Sequence, residues 1–243
     1  MKAVLLVGGA GTRLRPLTYV VPKCLLPVGG KPLLERTMNY LSGHGFTEYV
    51  LCVAYLKRQI MDAFGDGSKL GFKIEYAEAD SPLGTAGQLK TAAKLLDSTF
   101  LAMNGDIVTN LNVSELVATH REAHGVATIA LKEFGVKIPY GHVTVDGRGR
   151  VTGFEEKPTL SYKANAGVYV MEPRLLNEIP PGKAASLETD VFPRLIAKGE
   201  AIHSYYESAY WSDVGSMADF ERVNNEALDD PSVISPPRPA AVD

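Results

Sequence analysis

The sequence has little cysteine: Cys24 and Cys52 are the only two in 243 residues. Two cysteines are too few for a disulfide scaffold or a cysteine metal cage, so we expect reduced, packed thiols. The histidines are also few, and their positions show neither metal-ligand spacing nor a nucleophile partner. They are His44, His120, His124, His142 and His203. No thiol or imidazole chemistry is expected.

The sequence also lacks an excess of positive charge and long apolar runs. The formal net charge is -3 and the pI is near 6.0. A general nucleic-acid surface needs a basic face, so nucleic acid is not expected as a partner. The first apolar run, residues 2–7, is too short for a membrane span or the core of a signal peptide. We therefore expect no membrane partner and a cytoplasmic location.

Glycine, by contrast, is concentrated in one turn that follows this apolar run. Residues 2–7 read as a buried parallel strand, and the turn after such a strand is a usual ligand site in an open α/β sheet. Three glycines at 8, 9 and 11 let backbone amides approach a phosphate, and Arg13 and Lys23 add positive charge. A dinucleotide fingerprint would need glycine at Leu14, and a Walker loop fails because Pro32 follows Gly30-Lys31. The pattern predicts a cradle for a polyphosphate.

Segments with helical and strand character alternate along the rest of the chain, as in a parallel sheet covered by helices. With 45% hydrophobic and 22% charged residues, the chain suits one large α/β domain. Helices are predicted at residues 31–42, 57–64, 84–96, 113–122, 173–179, 187–196 and 216–228. Strands are predicted at residues 2–7, 49–54, 72–76, 99–103, 127–131, 167–171 and 202–206, with an antiparallel hairpin in residues 141–154. Residues 229–243 are rich in proline and predict a flexible C-terminal tail.

Two aspartates are candidates for a divalent cation that would offset phosphate charge. Asp106 follows the apolar strand 99–103, at the edge of the sheet where ligands collect. Capping of the next helix is an equally good explanation of Asp106 from the spacing alone. Asp213 precedes a predicted helix, and Ser216 could cap that helix and leave Asp213 free.

The ordered pattern GGAGTRL at 8–14, PLT at 16–18, PK at 22–23, LPV at 26–28 and KP at 31–32 closely resembles the signature of sugar-1-phosphate nucleotidylyltransferases, the NDP-sugar pyrophosphorylases. The resemblance extends over residues 1–228. It implies a Rossmann-like (GT-A-like), mostly parallel mixed sheet flanked by helices, with an antiparallel sugar-binding hairpin region, in a single nucleotidyltransferase domain. Many relatives carry a C-terminal left-handed β-helix, which is not expected in this sequence.

The same resemblance implies the roles of individual residues. Catalysis would depend on Arg13, Lys23 and Lys157. The nucleotide would be bound by Leu6, Gly8, Gly9, Gly11, Thr12, Arg13, Glu78, Pro82, Gly84 and Thr85, with Asp80 as an alternative to Glu78 for pairing with a guanine. The sugar phosphate would be bound by Asn104, Gly141, Glu156, Lys157, Asn165 and Glu188, and Mg²⁺ by Asp106 and Asp213.

Several of these residues also have a plain structural explanation. Residues 155–158, EEKP, could be an exposed charged turn. Gly141 could simply start a strand, residues 82–87 could only initiate a helix, and Glu188 could be an exposed helix residue.

The loop PLGTAG at 82–87 and the segment SLETDVFP at 186–193 resemble mannose-1-phosphate guanylyltransferases. The expected reaction is therefore GTP plus mannose-1-phosphate giving GDP-mannose, while GDP-heptose, UDP-glucose and dTDP-glucose formation stay open. The expected partners are an NTP, GTP favoured, and a hexose-1-phosphate, in a protein that could be a homo-oligomer. A competing hypothesis is a non-catalytic nucleotide-sugar sensor or regulatory subunit, which should show damage at the Arg, Lys or Asp positions named above. A glycosyltransferase would need Asp-x-Asp, and Asn104 replaces its first Asp.

Overall fold

The computed structural model describes residues 1–234, in which a seven-stranded sheet is covered by helices on both faces. The strands are β1 (Ala3–Leu6), β2 (Pro27–Val28), β3 (Lys31–Pro32), β4 (Glu48–Val53), β5 (Lys73–Glu78), β6 (Phe100–Asn104), β7 (Ile107–Thr109), β8 (Ala127–Lys137), β9 (His142–Val145), β10 (Val151–Glu155), β11 (Thr159–Met171), β12 (Ile202–Tyr206) and β13 (Trp211–Asp213). The helices are α1 (Leu33–Ser42), α2 (Lys57–Phe64), α3 (Gly84–Thr91), α4 (Val113–Ala123), α5 (Phe192–Ala197) and α6 (Met217–Asp229).

The large sheet has the strand order β12-β8-β11-β6-β1-β4-β5. β1 pairs in parallel with both β4 and β6, whereas β11 runs antiparallel to its neighbours β6 and β8. The chain leaves β1 toward β4 and β5 on one side and returns to β6 on the other. This reversal of strand order opens a crevice at the carboxyl ends of β1 and β6.

Each face of the sheet has its own hydrophobic core, since the central strands are buried on both sides. One core packs α1, α2 and α4 against the sheet, with Leu34, Ile60 and Leu116 fully buried. The other packs α3 and α5 through Leu89 and Leu195. The helices are therefore held by apolar burial, and the strand ends are left free to form a site.

The main departure from the sequence-based expectations is the length of β8 and β11. These strands were expected to span 127–131 and 167–171. In the structure β8 continues to Lys137 and β11 begins at Thr159, and the additional residues pair with each other as a two-stranded ribbon. This ribbon is largely exposed, so it lacks the apolar run that marks a buried strand. The hairpin of β9 and β10 at its end was predicted correctly.

The sheet confirms the expected α/β class, but several boundaries were wrong. The helix predicted over 84–96 ends at Thr91 and is followed by a 3₁₀ turn, Ala93–Leu95. The helix predicted over 187–196 opens with a π-helical turn, Leu187–Val191. β7 and β13 were not predicted, because strands of three residues carry no periodic signal.

The described part of the chain ends with a 3₁₀ turn, Pro231–Ile234, after α6. The flexible tail predicted for residues 229–243 therefore lies mainly outside the described residues, at 235–243. Within residues 1–234, no helix has the length and apolar character needed to cross a bilayer.

Candidate active site

Two cavities lie side by side at the carboxyl ends of β1 and β6. The first has a volume of about 310 Å³ and the second about 280 Å³. Asn104 and Asp106 line both of them, so the two cavities meet at the end of β6. Small-molecule sites in open α/β sheets form at this kind of crevice, which makes the pair of cavities the candidate site.

The glycine turn forms one wall of the first cavity. Gly11 has φ +57°, and a Cβ on it would lie 3.1 Å from Cβ of Lys23 and 3.1 Å from Cγ2 of Thr18. Only glycine allows the turn to pack this closely on the Lys23 stem. On the other side, the amide of Gly8 donates to Oε1 of Gln88 at 2.7 Å. The backbone of the turn is thus fixed from two directions.

Arg13 lies in a 3₁₀ turn, Thr12–Leu14, and lines the first cavity beside Lys23. Within residues 1–234, its guanidinium makes no hydrogen bond and no ion pair. It passes close to Gly215, where an added Cβ would lie 3.0 Å from Nη1 of Arg13 and 2.4 Å from Oδ2 of Asp213. Within the described residues, Arg13 is thus an unpaired cation in the lining of the first cavity, available to bind an anionic ligand.

A short ladder brings the two candidate metal ligands together. In the β7–β13 pair, Asp213 lies opposite Ile107, the residue after Asp106. The amide of Val214 donates to the carbonyl of Asp106 at 2.8 Å. Both aspartates line the second cavity, as their expected pairing requires.

Helix capping does not explain either aspartate. The side chain of Asn112 caps α4, accepting from the amide of Glu115 at 3.3 Å. Ser216 and Asp219 form a capping box at the start of α6. Neither carboxylate is therefore used as a helix cap, which removes capping as the structural explanation of Asp106.

The residues around Asp106 fit a divalent cation bound together with phosphate oxygens. The described residues contain no group of three or more His, Cys, Asp or Glu side chains suited to a metal, so a cation here would have two carboxylates. Magnesium is typically held by one or two carboxylates with the rest of its shell from water and substrate phosphates. Oδ1 of Asn104 is buried without a hydrogen-bond partner beside Asp106, an oxygen that a ligand or its water could satisfy.

Asp106 already has a cationic partner, Lys23. Its Nζ lies 2.6 Å from Oδ2 of Asp106, with side-chain exposures of 15% and 29%. Cys24, the next residue, also lines the first cavity, and burial raises the pKa of its thiol to about 12. Cys24 therefore adds no charge beside the ion pair at neutral pH.

The loop before α3 is fixed more firmly than the sequence indicated. The amides of Ala86 and Gly87 in the first turn of α3 both donate to the carbonyl of Ala185. Thr85 lines the first cavity, and its hydroxyl donates to Oε2 of Glu188 at 2.8 Å. The ligand-facing part of this loop is thus the Thr85 side chain rather than a row of open amides.

Glu188 is a half-buried hydrogen-bond acceptor, not the exposed helix residue of the plain explanation. It accepts from Ser186 at 2.6 Å and from the hydroxyl of Tyr169 at 2.9 Å, in addition to Thr85. Burial alone would raise the pKa of Glu188, but the hydrogen bonds from Ser186 and Thr85 hold it below its ordinary value. Tyr169 in turn accepts from Nδ2 of Asn165, which lines the second cavity. A chain of hydrogen bonds therefore connects the walls of the two cavities.

The second cavity also has an aromatic wall. Phe134 and Trp211 meet edge to face, with ring centroids 5.7 Å apart. Nε1 of Trp211 donates to the carbonyl of Ala166 at 2.8 Å, which fixes the indole. Phe134 comes from the ribbon part of β8, so this ribbon forms one side of the cavity.

The structure brings together some expected residues and leaves others apart. The first cavity is lined by Leu6, Gly9, Gly11, Thr12, Arg13, Lys23, Thr85, Asn104 and Asp106. The second is lined by Asn104, Asp106, Asn165 and Asp213. Not among the lining residues are Gly8, Glu78, Pro82, Gly84, Gly141, Glu156, Lys157 and Glu188.

Four of the outlying residues lie in two places away from the cavities. Gly141, Glu156 and Lys157 lie at the far end of the ribbon, where the last two are exposed. Glu78 is exposed at the end of β5 and pairs with Lys57 at 3.2 Å. The predicted roles of these four residues therefore need a ligand that extends past the two cavities.

Nine lining residues were absent from the set of expected site residues: Val7, Cys24, Gln88, Gly105, Ile107, Phe134, Gly167, Trp211 and Gly215. Gly215 adjoins the aspartate motif and could have been found from it. Gln88 and Phe134 carry no local signal, because only the packing of α3 on β1 and the ribbon's path place them here.

The sequence profile of the nucleotidyl transferase family matches residues 2–230 of the chain. The mannose-1-phosphate guanylyltransferase of Mycobacterium tuberculosis is 39% identical over 226 residues, covering 90% of this chain and 62% of that protein. The UTP–glucose-1-phosphate uridylyltransferase of Synechocystis sp. is 34% identical over 238 residues, covering 90% and 61%. The chain thus spans about 62% of the length of the first of these relatives and 61% of the second.

Among solved structures, HddC from Yersinia pseudotuberculosis complexed with GMP-PN has the same fold, with a TM-score of 0.73. It is 26% identical, and the superposition covers 93% of this chain and 98% of that one.

Proposed function

The chain belongs to the nucleotidyl transferase family, and on this premise we propose that it transfers a nucleotidyl group from an NTP to a hexose-1-phosphate, forming an NDP-sugar and pyrophosphate. The observation that carries the proposal is the junction of two cavities at Asp106. One cavity has the glycine turn and two cations, and the other has polar groups and an aromatic wall. A polyphosphate fits the first and a sugar the second.

In this reaction an oxygen of the sugar phosphate attacks the α-phosphorus in line, and pyrophosphate leaves. The attacking oxygen is already ionised, so no general base is required. The protein has to hold two anions close together and to neutralise the charge that grows on the leaving group. In this proposal, Arg13 and the amides of the glycine turn hold the pyrophosphate part, and Lys23 bridges phosphates.

Asp106 and Asp213 would hold Mg²⁺ in this scheme. When bound, the ion would offset phosphate charge as the bond to pyrophosphate breaks. Lys157 is assigned to the sugar phosphate and Glu156 with Gly141 to the sugar, all from the far end of the ribbon. Asn165 is assigned to the sugar from the wall of the second cavity.

We propose GTP and mannose-1-phosphate as the substrate pair. This choice rests on the segments around Thr85 and Glu188 and on the relative from M. tuberculosis named for that activity. The alternative is UTP with glucose-1-phosphate, which is favoured by the name of the relative from Synechocystis.

The test is pyrophosphate release with Mg²⁺ across GTP, UTP, dTTP, ATP and CTP, each with mannose-, glucose-, N-acetylglucosamine- or heptose-1-phosphate. Release that requires both substrates, and is lost in Asp106→Asn but kept in the surface control Asp97→Asn, is the expected result. Nucleotide binding without release for any pair would contradict the proposal and favour a non-catalytic sensor.

A further inference from the structure

Lys23 and Asp106 form an ion pair at the junction of the two cavities, with Nζ 2.6 Å from Oδ2. We infer that Lys23 competes with the divalent cation for Asp106. This inference rests on the proposed function, in which Asp106 is a ligand of that cation. Lys23 neutralises Asp106 in the free protein and moves to phosphate when nucleotide enters, so that cation and nucleotide strengthen each other's binding.

The burial of the pair makes this competition energetically significant. Exposed ion pairs contribute little, but both of these side chains are largely shielded from solvent. At reduced effective dielectric, an ammonium within hydrogen-bond distance of a carboxylate repels a second cation at that carboxylate more strongly than it would in bulk water. A divalent cation alone therefore meets an occupied carboxylate.

The position of Lys23 allows the exchange. Its stem packs against Gly11 in the wall of the first cavity, where phosphates are expected. Asp106 borders both cavities, so the amine lies between its present partner and the phosphate site. The exchange we infer is a movement of the ammonium about this packed stem, from Asp106 to the phosphate.

The neighbouring charges assign this role to Lys23 alone. Arg13, the other cation of the first cavity, pairs with no carboxylate within residues 1–234. Asp213 likewise has no ion pair in that part of the chain. Of these two aspartates, Asp106 alone forms an ion pair within residues 1–234, so Lys23 is the cation that has to move.

This arrangement links the two binding events. If nucleotide removes Lys23 from Asp106 and so raises cation affinity, the cation must raise nucleotide affinity by the same factor. The cation and the nucleotide then each bind weakly alone and bind tightly when both are present.

The test measures Mn²⁺ binding to the whole chain in the absence of nucleotide. The electron paramagnetic resonance signal of free Mn²⁺ reports how much Mn²⁺ is left unbound. Lys23→Met keeps the packed stem and removes the charge, and we expect it to bind Mn²⁺ about 10-fold more tightly than wild type. Lys23→Arg keeps the charge and should stay weak. Lys31→Met, which removes an exposed lysine elsewhere, should match wild type, and Asp106→Asn combined with Lys23→Met should lose the gain.

Equal Mn²⁺ affinity in wild type and Lys23→Met would overturn the inference, as would a gain that survives Asp106→Asn. Should Lys23→Met fail to fold, acetylation of the wild-type chain read by mass spectrometry decides the matter. Saturating Mg²⁺ should then speed labelling of Lys23 but not of Lys31, and an unchanged rate would count against the exchange. Because no substrate is present, an inactive chain that still passes these tests contradicts the proposed function only.

Discussion

At the scale of single residues, the two cations of the first cavity differ in what they already bind. Lys23 is paired with Asp106, whereas Arg13 has no hydrogen bond or ion pair in residues 1–234. A cationic side chain without a hydrogen bond or ion pair contributes little to the stability of the fold, but it is available to bind an anion. Arg13 is therefore the side chain whose removal should separate catalysis from stability.

We expect Arg13→Ala to lower turnover by about 100-fold or more, the usual effect of losing a preorganised donor to developing charge. The melting temperature should change little, because the guanidinium makes no hydrogen bond and no ion pair within residues 1–234. Pyrophosphate release under saturating substrates and a thermal melt measure the two effects. The matched control is Arg15→Ala, whose guanidinium lies 4.7 Å from the ring of Tyr19 and outside the cavity-lining residues. Near-normal turnover in the Arg13 variant would remove this residue from the mechanism.

At the scale of elements, the site depends on how β6, β7, β11 and β13 meet. Gly167 of β11 has φ +69°, and a Cβ on it would lie 2.5 Å from Cδ1 of Ile107 and 2.7 Å from Nδ2 of Asn104. The strand can thus pass the end of β6 only with glycine at this point. The same close approach positions Asn104, which lines both cavities.

Gly167→Ala should destabilise the protein by about 2 kcal/mol or more, because it adds a steric clash to a left-handed backbone conformation. Turnover should fall too, since Asn104 is displaced. The comparison is Gly199→Ala, which has φ +78° but no atom within 4 Å of the added Cβ. That control should lose only about 1 kcal/mol in urea unfolding. Equal losses in the two variants would mean that the clash at Asn104 is relieved without cost.

The same elements show what the sequence could and could not predict. The buried central strands and amphipathic helices were predicted because their apolar patterns are continuous. The motif residues Arg13, Lys23, Asp106 and Asp213 line the two cavities. Asp106 and Asp213 lie at strand ends, whereas Arg13 and Lys23 lie in the irregular segment between β1 and β2. Contacts made by packing alone could not be predicted.

Three cases illustrate this limit. The β7–β13 ladder consists of three-residue strands without periodicity. The ribbon of β8 and β11 is exposed and so carries no run of apolar residues. Of the three donors to Glu188, Ser186 is local, but Thr85 and Tyr169 come from other segments of the chain, and no local sequence pattern indicates them.

At the scale of the whole molecule, partly buried carboxylates tie the elements across the sheet. Glu172, just after β11, accepts from Thr99 at 2.7 Å and contacts His120 of α4 at 3.1 Å. Glu188 connects the start of α3 with β11 through Thr85 and Tyr169. Burial alone would raise the pKa of each glutamate. The hydrogen bonds outweigh this effect and hold both pKa values below the ordinary value of 4.5.

These lowered pKa values predict an acid-sensitive fold. A carboxyl whose pKa is lower in the folded state adds stability above its unfolded pKa, and that contribution is lost as the pH falls through the folded pKa. The free energy of unfolding should therefore be level near neutrality and fall below about pH 4.5, as measured by urea titration. Glu188→Gln, which removes one such carboxyl, should be less stable at pH 7 by about 1–3 kcal/mol and approach wild type in acid. The surface control Glu200→Gln should follow the wild-type dependence of the unfolding free energy on pH. If the Glu188→Gln curve ran parallel to wild type at every pH, the charge of Glu188 would have no part in holding the elements together.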